Sequence, residues 1–374
     1  MQQKVVPITL LTGYLGAGKT TLLNYVLNNQ KGYHVAVIVN DIGEVNIDAS
    51  LLAAGGVVQE QDSSLVPLQN GCICCTLKED LIKQIGDLVV SGKFDYIMIE
   101  ASGICEPVPI VQTIEYIHEN TKNCDMTVVL DNVVSVVDAL RLSEEFGDGK
   151  GLMKEDIEED DIENLIIQQI EFCTKIIVNK TDLVTADQLK EVEAVIRAIQ
   201  PEAEIIEAVK GEVDLAKILG TGCFDFETAS RSAAWIKGLE EIEEEEEPEG
   251  EVLEYNISTF VYKRRRQFDT NKFIEWANKR FPSTIIRAKG VCWISRDSAN
   301  MYMFEQAGSQ KSLVNVGPWV VSLPRQEQQE ILLMSPDIAA EWDEKYGDKM
   351  IKLVFIGKGM DRAAIEKELD SLLK

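Results

Sequence analysis

Apolar residues in the first two-thirds of the chain fall into short runs separated by amphipathic stretches. Residues 5–11 read as a buried strand and 20–29 as the helix that follows it. Runs at 35–39, 96–99, 127–130 and 175–178 are rich in β-branched residues and bounded by polar turns, which predicts further strands. Residues 77–90 and 186–199 repeat their apolar positions at helical spacing. Apolar strands alternating with helices predict an α/β fold, a mostly parallel sheet flanked by helices on both faces. In such sheets ligands bind at the carboxyl ends of the strands.

The pattern changes after residues 240–251, EEIEEEEEPEGE, where like charges are too dense to pack and predict a linker. A milder acidic stretch at 155–163 reads as a helix start or an excursion within the first domain. Beyond the linker, 253–262, 285–294, 301–304 and 351–356 read as strands, and 270–281 and 361–373 as helices. The expected organisation is a first domain over 1–228, an acidic linker over 229–252, and a smaller C-terminal α+β domain over 253–374. No internal repeat is visible.

Composition narrows the classes of partner. The 374 residues are 45% hydrophobic and 27% charged, enough for a sizeable core. The formal net charge of -26 argues against nucleic acid or an anionic membrane as the main partner. No stretch is long and apolar enough to span a membrane. The opening MQQKVVPITLLTGYLGAGKT has no signal-peptide layout, and the eight cysteines do not form a disulfide-scaffold pattern. The expectation is a soluble cytoplasmic protein.

Residues 13–20, GYLGAGKT, match G-x-x-x-x-G-K-[ST] between a predicted strand and a predicted helix. Gly13, Gly16 and Gly18 let the backbone turn tightly, so that successive N–H groups, Ala17 among them, point at one phosphate. The helix start adds its positive end, through Thr20 and Thr21. Lys19 is expected at the β- and γ-phosphates, and Thr20 at Mg²⁺. The plain alternative is a glycine turn with a surface lysine.

The strand at 175–178 runs into Asn179-Lys180-Thr181-Asp182. A carboxylate at Asp182 accepts both the N1–H and the exocyclic amine of guanine, donors that adenine lacks. Asn179 can brace the purine's other edge, and the Lys180 stem can lie along the ring. This favours GTP over ATP. A second apolar strand ends in Glu100, followed by Ala101-Ser102-Gly103. Glu100 can organise the Mg²⁺ water shell or the attacking water, and the Gly103 N–H can sense the γ-phosphate. Asn40-Asp41-Ile42-Gly43-Glu44 also follows a strand and is the natural switch segment, with Asp41 a further candidate for Mg²⁺.

Three thiols, Cys72, Cys74 and Cys75, sit within four residues. Thiolates are soft ligands suited to Zn²⁺ or Cu⁺, and three of them leave a fourth position open for Asp41, Glu44 or an incoming ligand. A redox pair and inert buried cysteines are the competing readings. His34 and His118, the only histidines, read as structural.

With these motifs assembled, the chain resembles the CobW family of metallochaperone P-loop GTPases, relatives of UreG and HypB. The resemblance runs through LLTGYLGAGKTTLLNYVL, NDIGEVNID, NGCICCTLKEDL, IMIEASGICEP and VNKTDLV, in order, and through FVYKRRRQF and RAKGVCWIS in the second domain. It implies that Cys72, Cys74 and Cys75 bind metal near the switch. It also implies that GTP binding or hydrolysis is coupled to release of the metal, zinc first among candidates, into a client metalloprotein. Two departures stand out: no His-rich segment occurs late in the chain, and Gln267 stands where the family commonly has proline. A homodimer is left open. The alternatives are a P-loop kinase or ATPase acting on a small molecule, and a nucleotide-binding protein with a passive metal or redox site.

Overall fold

The computed structural model describes residues 3–29, 32–39, 65–67, 77–103, 106–146, 165–231, 255–307 and 310–374. The chain divides into two compact units. The first is built from residues 1–147, 165–196 and 200–233, and the second chiefly from 234–374.

In the first unit the described elements run β1 (Lys4–Thr12), α1 (Lys19–Asn28), β2 (Val35–Val39), β3 (Leu65–Pro67), α2 (Leu77–Ser91), β4 (Tyr96–Glu100), α3 (Pro107–Thr121), β5 (Met126–Asp138), α4 (Ala139–Phe146), β6 (Lys175–Asn179), α5 (Ala186–Ile199) and β7 (Glu204–Glu207). The strands form one seven-stranded sheet in the order β3-β2-β4-β1-β5-β6-β7, and every pairing is parallel. Strands β2, β4 and β6 are buried along their whole length, as the continuous apolar runs predicted. Leu22, Leu23 and Val26 of α1 are fully buried against Val37, Met98, Val136 and Ile177. Each such side chain contributes about 1.5–3 kcal/mol when removed from water.

Strand β5 is longer than its apolar run at 127–130 predicted, because polar residues interrupt it. The register against β1 shifts between Ile8 and Thr9, so two residues, Asp131 and Asn132, enter where one would pair. Both are buried and bonded. The Tyr96 hydroxyl donates to the Asp131 carboxylate and meets the Thr9 hydroxyl at 2.7 Å. Gly222 N–H donates to the same carboxylate, and the Asn132 amide donates to the Ile218 carbonyl at 3.0 Å. Burial and the neighbouring Asp131 charge hold the Tyr96 phenol far above its ordinary pKa. The network fastens residues 218–222 to the middle of the sheet.

The second unit contains β8 (Ile257–Arg264), α6 (Thr270–Lys279), β9 (Ile285–Cys292), β10 (Asn300–Ala307), β11 (Gln310–Pro318), α7 (Arg325–Met334), β12 (Ile351–Lys358) and α8 (Arg362–Ser371). Its sheet has the order β11-β10-β9-β12-β8, antiparallel throughout. The core is aromatic: Phe268 stacks on Phe273 at 4.6 Å between ring centres, and Phe273 meets Phe304 edge-on at 5.2 Å. Trp276 is fully buried, and its indole N–H donates to Glu368 at 2.8 Å. The basic run at 263–266 is largely tied into this unit. Arg264 pairs with both carboxylate oxygens of Asp370, and Arg265 donates to the Gly347 carbonyl. Just after the run, Phe268 bridges to both Ile294 and Leu373. Among the described residues, no helix is long and apolar enough to cross a membrane.

Candidate nucleotide site

Strand β1 lies between β4 and β5, and its carboxyl end opens into the loop of residues 13–18. Gly13, Gly16 and Gly18 have φ of 138°, 83° and 109°, conformations that side chains strongly disfavour. At Gly13 and Gly18 the neighbours leave no room either. A methyl group at Gly13 would meet the Val136 carbonyl oxygen at 2.3 Å, and one at Gly18 the Asn179 amide nitrogen at 2.2 Å. Gly18 stands at the N-cap of α1 with no side-chain cap, and no acidic residue occupies the first turn. The helix start therefore presents amides and partial positive charge, which suits an anion. Lys19 is buried, and its ammonium donates to the carbonyls of Gly13 at 2.7 Å and Tyr14 at 3.3 Å. Thr20 is half-buried at the head of α1 and Thr21 is exposed beside it.

The predicted base segment stands beside this loop. Asn179 ends β6, buried at 2% exposure, and joins two segments far apart in sequence. Its amide nitrogen donates to the Ala17 carbonyl at 2.9 Å, and its amide oxygen accepts from Gly211 N–H at 3.0 Å. Both ends of the amide bond protein, so Asn179 braces the phosphate loop, a role its residue type alone did not indicate. Lys180 adopts the left-handed conformation with φ 61°. Its ammonium pairs with Asp138 at 2.5 Å. Asp182 is exposed in the short 3₁₀ helix Thr181–Leu183. Phosphate loop and base segment are thus adjacent at the carboxyl edge of the sheet.

Glu100 ends β4 in register with Leu11 of β1 and Val39 of β2, and it is 1% exposed. Ala101 N–H donates to the Leu11 carbonyl at 2.8 Å, which carries the pairing with β1 one residue past the end of β4. Gly103 then passes so close to Leu15 that a methyl group there would meet its backbone nitrogen at 2.8 Å. Glu100 and Gly103 therefore flank the phosphate loop. The Thr20 hydroxyl and the Glu100 carboxylate are hard oxygen donors of the kind Mg²⁺ takes.

Asp41, Glu44, Cys72, Cys74 and Cys75 lie outside the described residues. Of the remaining cysteines, Cys173 and Cys292 are buried, and burial pushes both thiols well above their ordinary pKa, which makes them inert. His34 pairs with Asp95 at 2.9 Å, and His118 bonds the Val128 carbonyl at 2.8 Å, both structural contacts.

Two residues of the site escaped the sequence reading. Asp138 ends β5 in register with Asn179. Arg141, in the first turn of α4, lies over the Tyr14 ring at 4.2 Å. The signal was present, since the apolar run at 133–137 ends in an aspartate much as 96–99 ends in Glu100.

An uncapped glycine loop at a strand end, with a lysine folded into it and N-K-x-D on the strand two places along, defines a P-loop nucleotide-binding protein. Residues 7–207 match the CobW/HypB/UreG nucleotide-binding domain, and 257–373 the cobalamin synthesis protein cobW C-terminal domain. The chain belongs to the CobW/HypB/UreG family. It is 37% identical over 385 aligned residues to zinc-regulated GTPase metalloprotein activator 1 of Dictyostelium discoideum, covering 98% of this chain and 80% of that protein. It is 32% identical to the zinc chaperone YjiA of Escherichia coli, over 59% of this chain and 63% of that one. The crystal structure of a Zn(II)-bound YjiA GTPase from E. coli aligns over the full length of both chains at 23% identity, with a TM-score of 0.45.

Proposed function

We propose that the protein is a GTP-hydrolysing metal chaperone that loads zinc at Cys72, Cys74 and Cys75 and hands it to a client metalloprotein. The observation that carries the nucleotide half is the Asn179 brace, which sets the segment bearing Asp182 against the phosphate loop. In this reading the loop amides and Lys19 hold the phosphates, and Asp182 selects guanine. Thr20 and Glu100 supply oxygen ligands to Mg²⁺, which neutralises charge on the phosphate oxygens. Glu100 and the Gly103 N–H face the terminal phosphate, where water must be oriented. The relatives' names, a zinc-regulated GTPase and a zinc chaperone, support zinc as the cargo. Asp41 and Glu44, in the segment after β2, are the candidate fourth ligands and the proposed route between the two sites.

The test is Zn²⁺ affinity, read by competition with a chromogenic chelator, for protein that is nucleotide-free, bound to Mg·GDP, or bound to a non-hydrolysable GTP analogue with Mg²⁺. The expected outcome is a nucleotide-dependent affinity that disappears in the Cys72→Ala/Cys74→Ala/Cys75→Ala variant. A coupling of about 1–3 kcal/mol, roughly 5–150-fold, is what two communicating sites supply. Equal affinity in all three states would leave a GTPase with an uncoupled thiol site.

A further inference from the structure

Asp138 is the hub of the base side of the site. One of its carboxylate oxygens accepts from the backbone N–H of Leu140 at 3.0 Å and of Arg141 at 3.3 Å, capping the start of α4. The other holds the Lys180 ammonium. Its side chain is 17% exposed and that of Lys180 34%, so the pair is only partly screened by water. Lys180 has little alternative: the Asn179 bonds on one side and its own left-handed backbone on the other fix the direction in which its stem leaves β6. The helix that Asp138 caps carries Arg141, whose guanidinium stacks on Tyr14 inside the phosphate loop. A single carboxylate therefore touches the base segment directly and the phosphate loop through one stacked pair.

We propose that Asp138 is a positioning residue for nucleotide recognition: it fixes the Lys180 stem as a platform for the purine ring. The proposal rests on the nucleotide reading above but not on the choice of guanine. Asp138 touches no substrate. It acts by anchoring the far end of a flexible side chain, which removes part of the rotamer entropy that binding would otherwise cost.

The variants separate the two duties of the carboxylate. Asp138→Asn keeps an oxygen to cap α4 and removes the charge that holds Lys180, whereas Asp138→Ala loses both. Affinities of the full chain for Mg·GDP, for the non-hydrolysable GTP and ATP analogues, and for tripolyphosphate, which has no base, are measured alongside thermal stability. Asp138→Asn is expected to weaken GDP about tenfold and to leave tripolyphosphate unchanged. Its effect should vanish in a Lys180→Ala background, because residues that act through one another are not additive. Asp138→Ala should weaken tripolyphosphate as well. A loss that persists in the Lys180→Ala background, or equal losses of GDP and tripolyphosphate in Asp138→Asn, would overturn the proposal. If the parent chain instead binds the ATP analogue as tightly as the GTP analogue, the guanine reading fails, while the Asp138–Lys180 cycle still reports on whichever purine binds.

Discussion

Helices α1 and α6 begin in opposite ways. The first turn of α6 is capped by Asp269, whose carboxylate accepts from the backbone N–H of Asn271 at 3.1 Å and of Lys272 at 3.2 Å. Caps of this kind contribute about 0.5–2 kcal/mol. Helix α1 starts from a glycine in the left-handed region, with no side-chain cap and with a lysine at its first position. The two units also differ in what fills them. The first keeps strained glycines and buried polar groups at the carboxyl edge of an aliphatic sheet. The second pairs most of its buried charges internally around stacked rings. Helices α3 and α7 also start without a side-chain cap, so what marks α1 as a site is the union of uncapped amides with left-handed glycines and a buried lysine.

The sharpest way to break the comparison is at the aromatic core. Trp276→Ala removes a fully buried indole and leaves Glu368 without that donor. It is expected to lower the stability of the second unit by about 3–5 kcal/mol in urea denaturation. A loss below about 1 kcal/mol would mean that the rings do not carry the unit. The next effect tests the internal charges. Burial alone would raise the Glu305 pKa, but Arg287 at 2.6 Å and Lys289 at 3.2 Å hold it below the usual glutamate range. A group whose folded pKa is depressed stabilises above its unfolded value and loses that contribution as the pH falls through the folded value. Glu305→Gln should therefore cost about 3 kcal/mol at pH 7, since it removes a negative charge in contact with the fully buried Arg287. The penalty should begin to shrink as the pH falls past the ordinary glutamate value of about 4.3, where the unfolded chain protonates, and go on shrinking towards the lower folded value. A cost independent of pH over that window would show that packing, not charge, is what the substitution disturbs.

Two glycines that look alike in sequence sharpen the comparison further. Gly18 has φ 109° and Gly290 has φ 150°, and a methyl group at Gly290 would meet the Lys352 carbonyl oxygen at 2.1 Å. Gly290 is where β12 passes β9, whereas Gly18 is where Asn179 and the phosphate loop meet. Gly18→Ala is expected to weaken nucleotide binding on the order of a hundredfold, about 2.7 kcal/mol, and to lower the melting temperature less than Gly290→Ala does, because its methyl meets a side chain rather than backbone. Gly290→Ala should lower the melting temperature, because the added methyl forces a backbone contact apart. If Gly18→Ala instead lowers melting as much as Gly290→Ala does, the loop serves the fold more than the ligand.

The strands that the sequence announced are those buried on both faces, such as 35–39 and 175–178. Those it concealed fall into two kinds. Strand β3 is three residues long, and β11 is an edge strand whose exposed Val314 and Val316 give no buried periodicity. Strand β5 was cut short at residue 130 because Asp131 and Asn132 look like a turn, and only the bulge and the Tyr96 hydroxyl explain two polar residues inside a sheet. The phosphate loop was legible because its chemistry is local, eight consecutive residues. Asp138 was not, because its meaning depends on β5 and β6 being neighbours, which sets Asp138 beside Asn179 across 41 positions. For the same reason the sequence marks Asn179 as a site residue but does not show it as the brace between residues 17 and 211.

The smallest expected effect marks the lower limit of the comparison, an exposed histidine–carboxylate contact on the first unit that serves neither core nor site. His34 and Asp95 meet at 2.9 Å with side chains 76% and 48% exposed. The hydrogen bond from His34 lowers the Asp95 pKa, opposed by slight burial. The sign follows the carboxylate rule: the contribution is present above the ordinary aspartate value near 3.9 and is lost as the pH falls through the lower folded value. Exposure on this scale lets water and salt screen most of the attraction, so His34→Ala should cost under about 1 kcal/mol at neutral pH, and less again in 1 M salt. Urea denaturation of the parent and the variant at low and high salt measures it. A cost near the roughly 3 kcal/mol expected for Glu305→Gln would mean that an exposed pair here works as hard as a buried one. Burial would then no longer explain why the charges of the second unit matter to its fold.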